Sequence, residues 1–150
     1  MQADVVLPQA PTGGGSYISL AGRRIGTSDY RATLRFQASG AVDLRLDRMV
    51  SGAETVLRTV RLPGTYTAGS ALTVRLELTG SGTTTLKAKA WTAGPAEPAD
   101  WTVTTTDTTA ALQGPGALHL ETFTASTGTR AQLFRVDDLL AEVPGTVPTP

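Results

Sequence analysis

The chain has 150 residues, 40% of them hydrophobic and 17% charged, which allows one ordinary domain with a core and excludes a disordered chain. Thirteen basic and thirteen acidic residues give a formal net charge of zero; nucleic acid is therefore not an expected partner. No run approaches the roughly 20 apolar residues of a membrane span, so no membrane insertion is expected, and the absence of cysteine removes disulfides, thiolate catalysis and thiolate metal sites together.

In chain order, MQADVVLPQAP lacks the charged and apolar regions of a signal peptide, and residues 5–7 read as a short strand stopped by Pro8. The glycine run 13–15 has no P-loop lysine after it and carries no phosphate-binding meaning. Residues 17–25 form the next strand, with Ile18 and Leu20 facing opposite to Tyr17, Ser19 and Ala21.

The clearest signal is residues 29–50. Tyr30, Ala32, Leu34 and Phe36 alternate with polar residues, and so do Val42, Leu44 and Leu46. Such period-two alternation places one face in a core and one in water. A fold about Ser39 sets Phe36 opposite Val42, Leu34 opposite Leu44 and Ala32 opposite Leu46. The same register sets Arg35 opposite Asp43 and Arg31 opposite Asp47, whereas a slip of two opposes arginines. A three-residue turn, Ala38-Ser39-Gly40, follows from it. The outward face is predicted to be a solvated ionic ladder in which Arg45 is unpaired.

Residues 54–62 are a strand whose phase is ambiguous, because Val56, Val60 and Leu62 conflict with Leu57. Residues 71–79 and 83–91 alternate cleanly. Pairing Glu77 with Lys87 across them is attractive, but it opposes Arg75 and Lys89. A loop follows at 92–100, then strands at 101–106, 117–124 and 132–143, with a helical turn at 107–112 capped by Asp107. The frequent threonine and valine, with 16 glycines and 9 prolines, agree with nine or ten strands at short spacing. The expected fold is all-β, a sandwich of two antiparallel sheets over residues 1–143, followed by a proline-rich linker or tail at 144–150.

Several segments carry a resemblance: GGGSYISLAGRRIGTSDYRATLRF, LTVRLELTGSGTTTLKAKAWTAGPAEPADW, TDTTAALQGPGALHLETF and FRVDDLLAEVP. Together they resemble the concanavalin A-like lectin/glucanase and laminin-G-like jelly rolls common in secreted and phage-encoded proteins of high-GC bacteria. Such modules usually carry more strands before the glycine run. The resemblance therefore implies either a trimmed version lacking N-terminal strands, or an edge supplied by a neighbouring segment or chain.

The candidate site residues are few. His119, the single histidine, sits in a strand and reads as an ordinary outward side chain. The glucanase branch of the resemblance implies carboxylates spaced E-x-D-x-E on one strand. That motif is absent, and the chain is expected not to be an enzyme. The resemblance also implies a structural calcium at Asp137 and Asp138, against the plainer reading that these pair with Arg130, Arg135 or the backbone. Trp91, Trp101, Tyr17, Tyr30 and Tyr66 are possible sugar platforms, and Arg23, Arg24 and Asp29 form either a polar recognition loop or a solvated turn. Trp91, Tyr17, Arg24 and Tyr30 are the expected ligand-binding residues. The function these imply is attachment to a glycan or cell-surface polysaccharide, within a larger secreted or phage tail protein, at the cell exterior or virion surface. The alternative is a structural, oligomerising module whose partners are neighbouring modules or protomers of a larger assembly.

Overall fold

A computed structural model of the chain describes residues 1–144. The expected tail at 144–150 lies, after Pro144, outside the described residues. Ten strands are present: β1 (Gln2–Val6), β2 (Ser16–Ile25), β3 (Ser28–Phe36), β4 (Val42–Val50), β5 (Ala53–Arg61), β6 (Ala71–Thr79), β7 (Thr84–Thr92), β8 (Val103–Asp107), β9 (Ala117–Thr124) and β10 (Arg135–Leu140). They form two five-stranded antiparallel sheets in the orders β10-β1-β6-β7-β8 and β5-β4-β3-β2-β9. This is the two-sheet β-sandwich the alternation predicts. β1 is paired on both sides, so the free edges fall on β10, β8, β5 and β9.

The inward residues of the two sheets meet in one core that includes Val5, Ile18, Leu20, Leu34, Phe36, Leu44, Leu46, Val74, Leu76 and Leu86. Each large side chain buried there contributes about 1.5–3 kcal/mol. The helical turn is a short 3-10 helix, Ala110–Leu112, which buries Leu112 under the end of the sandwich.

β3 and β4 pair in the predicted register, from Asp29 opposite Met49 to Phe36 opposite Val42. The Gln37 amide bonds the Ala41 carbonyl, and Gly40 takes a φ of +84°, the left-handed conformation a three-residue hairpin loop needs.

The expected ladder of facing ion pairs is corrected. Arg31 binds Asp29, two residues back on its own strand (2.5 Å), and Glu121 on β9 (3.1 Å). Arg45, expected to be unpaired, binds Asp47 (2.9 Å) and Glu54 (2.5 Å). Asp43 takes Arg61 and Gln37, while Arg35 lies over the Tyr17 ring and donates to the Gly14 carbonyl. The face is also only partly solvated: Asp29 and Asp47 are fully buried, whereas Glu54 and Arg61 stay exposed and Glu121 partly so. A hairpin considered alone has only its own charges. In a five-stranded sheet the long arginines also reach partners on β5 and β9.

The ambiguous phase of β5 is a β-bulge. Leu46 pairs with Arg58 and Asp47 with Val56, leaving Leu57 as the extra residue. Leu57 and Val60 both pack on the core, and Val56 stays exposed.

Candidate functional site

The outward face of β6 and β7 holds the strongest polar cluster that also carries aromatic rings. Leu72, Val74, Leu76 and Leu78 face the core, so Thr73, Arg75 and Glu77 face outward; on β7, Lys87, Lys89 and Trp91 do the same. Glu77 lies opposite Lys87, Arg75 opposite Lys89, and Thr73 opposite Trp91. The attractive pair is made, with Lys87 Nζ 3.1 Å from Glu77. The costly opposition is present as well.

The loop between β7 and β8 resolves it. Glu97 lies 2.9 Å from Arg75 and 2.7 Å from Lys89, bridging the two opposed cations. Lys89 also donates to the Pro98 carbonyl at 2.6 Å. Its ammonium lies 4.8 Å from the Trp101 ring centre and 5.9 Å from that of Trp91, both within cation–π range. Lys87 approaches Trp101 as well, at 5.7 Å. The chain has two tryptophans and two lysines, and all four converge here. Burial opposes the charge of Glu97, yet Lys89 and Arg75 hold its carboxyl below the usual carboxylate range. Both indoles are half-buried, and residues 94–100 are all exposed.

Asp4 on β1 accepts a bond from Thr73 (2.6 Å) and lies opposite Asp137 on β10. The calcium expectation thus finds an acidic neighbour in the N-terminal strand. Asp138, with φ +49°, spends its own amide on the Asp137 carboxylate. Among the described residues neither aspartate pairs with Arg130 or Arg135, and no group of three or more His, Cys, Asp or Glu is placed to hold a metal.

The other expected ligand residues do not join Trp91. Tyr30 is corrected: it is fully buried, donates to Asp107 at 2.6 Å and accepts from Gln113, so it presents no ring to solvent. Burial, then the Asp107 carboxylate, push its hydroxyl up to about 12. Alternation within the hairpin had already placed Tyr30 on the core face. Tyr17 lies on the outer face of the other sheet, half-buried against Phe123 at 5.5 Å. Arg24 is held by Asp29 at 3.1 Å. Arg23, with φ +55°, reaches Thr84 and the carbonyls of Gly80 and Leu112, tying the end of β2 to the opposite sheet. Arg75, Lys89 and Glu97 were not among the expected binding residues. The Arg75–Lys89 conflict was their signal in the sequence.

On the second sheet's outer face the carboxylates fall into separate ion-paired groups: Asp29 and Glu121 share Arg31, Asp47 and Glu54 share Arg45, and Asp43 takes Arg61. Burial pushes Asp47 up despite Arg45, and its Oδ2 has no hydrogen-bond partner of good geometry. Burial works against the charge of Glu121 too, but Arg31 and then His119 hold it low. His119 lies 3.4 Å from Glu121.

No protein-family model and no curated protein matches the sequence. In fold, the chain is similar to the solved structure of the GH43 protein BlXynB mutant (K247S) from Bacillus licheniformis. The TM-score is 0.52 at 10% identity, covering 91% of this chain and 26% of that chain. The chain thus spans about a quarter of that protein, and the likeness is one of fold. The expectation that the chain is not an enzyme is corrected to this extent: the matched fold occurs within a GH43 glycoside hydrolase protein.

Proposed function

We propose that the chain is a carbohydrate-binding β-sandwich, acting at a cell exterior or virion surface within a larger secreted or phage tail protein, and that the outward face of β6 and β7 holds the sugar. The observation that carries this is the convergence of Trp91 and Trp101 on Arg75, Lys89 and Glu97. An indole face stacks on the C–H face of a pyranose, and charged side chains beside it fix hydroxyl positions through directional hydrogen bonds. The fold likeness to a glycoside hydrolase family protein supports a carbohydrate role.

A glycan array on the chain, with and without calcium, tests the reading. Binding that is lost in Trp91→Ala and Trp101→Ala is expected; no binding above background, or binding indifferent to both substitutions, overturns it. Assay of the bound glycans for released reducing ends decides whether binding leads to cleavage.

A second reading has its own observation. The free edges β9 and β10 carry exposed Leu118, Phe123, Val136, Leu139 and Leu140. A cleft of about 480 Å³, lined partly by Leu76, Leu78, Leu118 and Leu140, lies beside them. Exposed apolar edges favour association with a neighbouring module or protomer. Light scattering tests it: a stable oligomer disrupted by Leu118→Lys supports it, and a monomer at all concentrations refutes it.

A further inference from the structure

Resting on that carbohydrate reading, we infer that the sugar is acidic, a uronic-acid glycan, and that Glu97 occupies the position its carboxylate takes. Arg75 and Lys89 stand directly opposite each other across β6 and β7. Two like charges in that position repel, so the pair requires an anion between them. The other anions are engaged elsewhere or stand further off: Glu77 on β6 serves Lys87, and Glu142, beyond the end of β10, approaches Arg75 only to 3.8 Å. The anion that touches both cations is carried by the loop.

The loop is fastened by little else. Between Gly94 and Asp100, the side-chain bonds that hold it are those from Arg75 and Lys89 to Glu97 and from Lys89 to the Pro98 carbonyl. Residues 94–100 are exposed, and Glu97 itself is 36% exposed. The groups that fasten the loop are therefore the groups that receive a ligand carboxylate, with Trp91 and Trp101 beside them as stacking surfaces for the ring that bears it. Arg75 and Glu97 are each about a third exposed, so their pair contributes at most about 1 kcal/mol. Lys89 is buried (7% exposed) and needs an anion whichever partner supplies it, so a ligand with both a carboxylate and a stacking ring takes the place of Glu97 and displaces the loop. While the loop is seated the site is closed, and the apparent affinity falls by the fraction of molecules in which it is open.

Tryptophan emission reports the event directly, since both tryptophans are at the site. The titrants are trigalacturonate, its fully methyl-esterified form (same rings, no charge) and an acidic glutamyl peptide (charge, no rings). Trigalacturonate is expected to change the emission saturably in the wild type, and Glu97→Gln to tighten its binding by about tenfold through the open fraction. The ester and the peptide are expected to bind at least tenfold more weakly. Equal binding of the ester overturns the inference and leaves the carbohydrate reading standing. Preference for the peptide overturns both, whereas silence to all three overturns the inference and leaves the carbohydrate reading to the glycan array. Unchanged or weaker trigalacturonate binding in Glu97→Gln, with the circular dichroism of the wild type, shows that Glu97 is not the competitor. Arg75→Gln is a second check: it is expected to weaken trigalacturonate binding at least tenfold while leaving the ester unaffected, and equal effects on both refute the ionic contact.

Discussion

The two outer faces of the sandwich solve one electrostatic problem in opposite ways. On the second sheet, charges sit on the strands and find partners on the same strand, the next, or, for Glu121, the next but one: Arg31 with Asp29 and Glu121, Arg45 with Asp47 and Glu54, Asp43 with Arg61. Every anion is part of the sheet, and the acceptors Asp29 and Asp47 are sealed from water. On the first sheet, Arg75 and Lys89 face each other and depend on a residue from a loop. Neutralisation built into strands opens only when the sheet does. Neutralisation supplied by a loop is reversible, and that is the physical ground on which the first face is proposed as the ligand site.

The contrast is broken most severely at Asp29. Asp29→Ala leaves Arg31 without its nearer anion in a buried setting and frees Arg24; removing one partner of a buried pair costs about 3–5 kcal/mol. Urea denaturation is expected to show that loss, and a change under 1 kcal/mol would mean the face is less closed than its burial indicates. Tyr30→Phe deletes a hydrogen bond to a charged acceptor and is expected to cost about 1.5–3 kcal/mol by the same measurement. Glu97→Gln is expected to cost least, about 1 kcal/mol, since Arg75 and Glu97 are each about a third exposed and the buried Lys89 keeps the Pro98 carbonyl and the Trp101 ring. The ordering of the three, more than any single value, tests the comparison.

Titration sharpens it further. Glu97, Asp107 and Glu121 are all held below the ordinary carboxylate range. Each adds stability at neutral pH that is lost as the pH falls through its folded value, below roughly pH 4. Asp47 is pushed up and has the opposite sign: its proton is favoured in the folded state, so it offsets part of the acid loss. Urea midpoints measured from pH 7 to pH 3 are expected to fall, and to fall less in Glu97→Gln. At the alkaline end, Tyr30 keeps its proton to about 12 while an unfolded tyrosine loses it near 10. Stability is therefore expected to drop across that interval, and absorbance at tyrosinate wavelengths should show Tyr30 ionising late.

Much of the fold was legible because alternation has one physical cause, a core on one side of a strand. The β3–β4 register, the strands 71–79 and 117–124 and the sandwich itself follow from it. Partners across more than one strand were not legible. Arg45 looks unpaired in a hairpin because Glu54 arrives from β5, and the phase of β5 looks contradictory because a bulge at Leu57 is invisible to a period-two reading. The site was half legible. Trp91 fell on the polar phase of its strand, and the Arg75–Lys89 opposition stood out as a cost. That Glu97 relieves it depends on how a proline-containing loop folds back over the sheet, which local pattern does not encode. Tyr30 was taken for a surface ring although its own hairpin placed it inward.

The most direct test of the account uses the two tryptophan indole N–H resonances in a proton–nitrogen correlation spectrum, titrated with trigalacturonate. Both are predicted to move with one binding curve, together with the amides of Gly94, Ala96, Glu97, Ala99 and Asp100. Those of Arg31, Thr33, Arg45 and Asp47 are predicted to stay in place. Stationary indole signals, or shifts centred on the β3–β4 face, would contradict it.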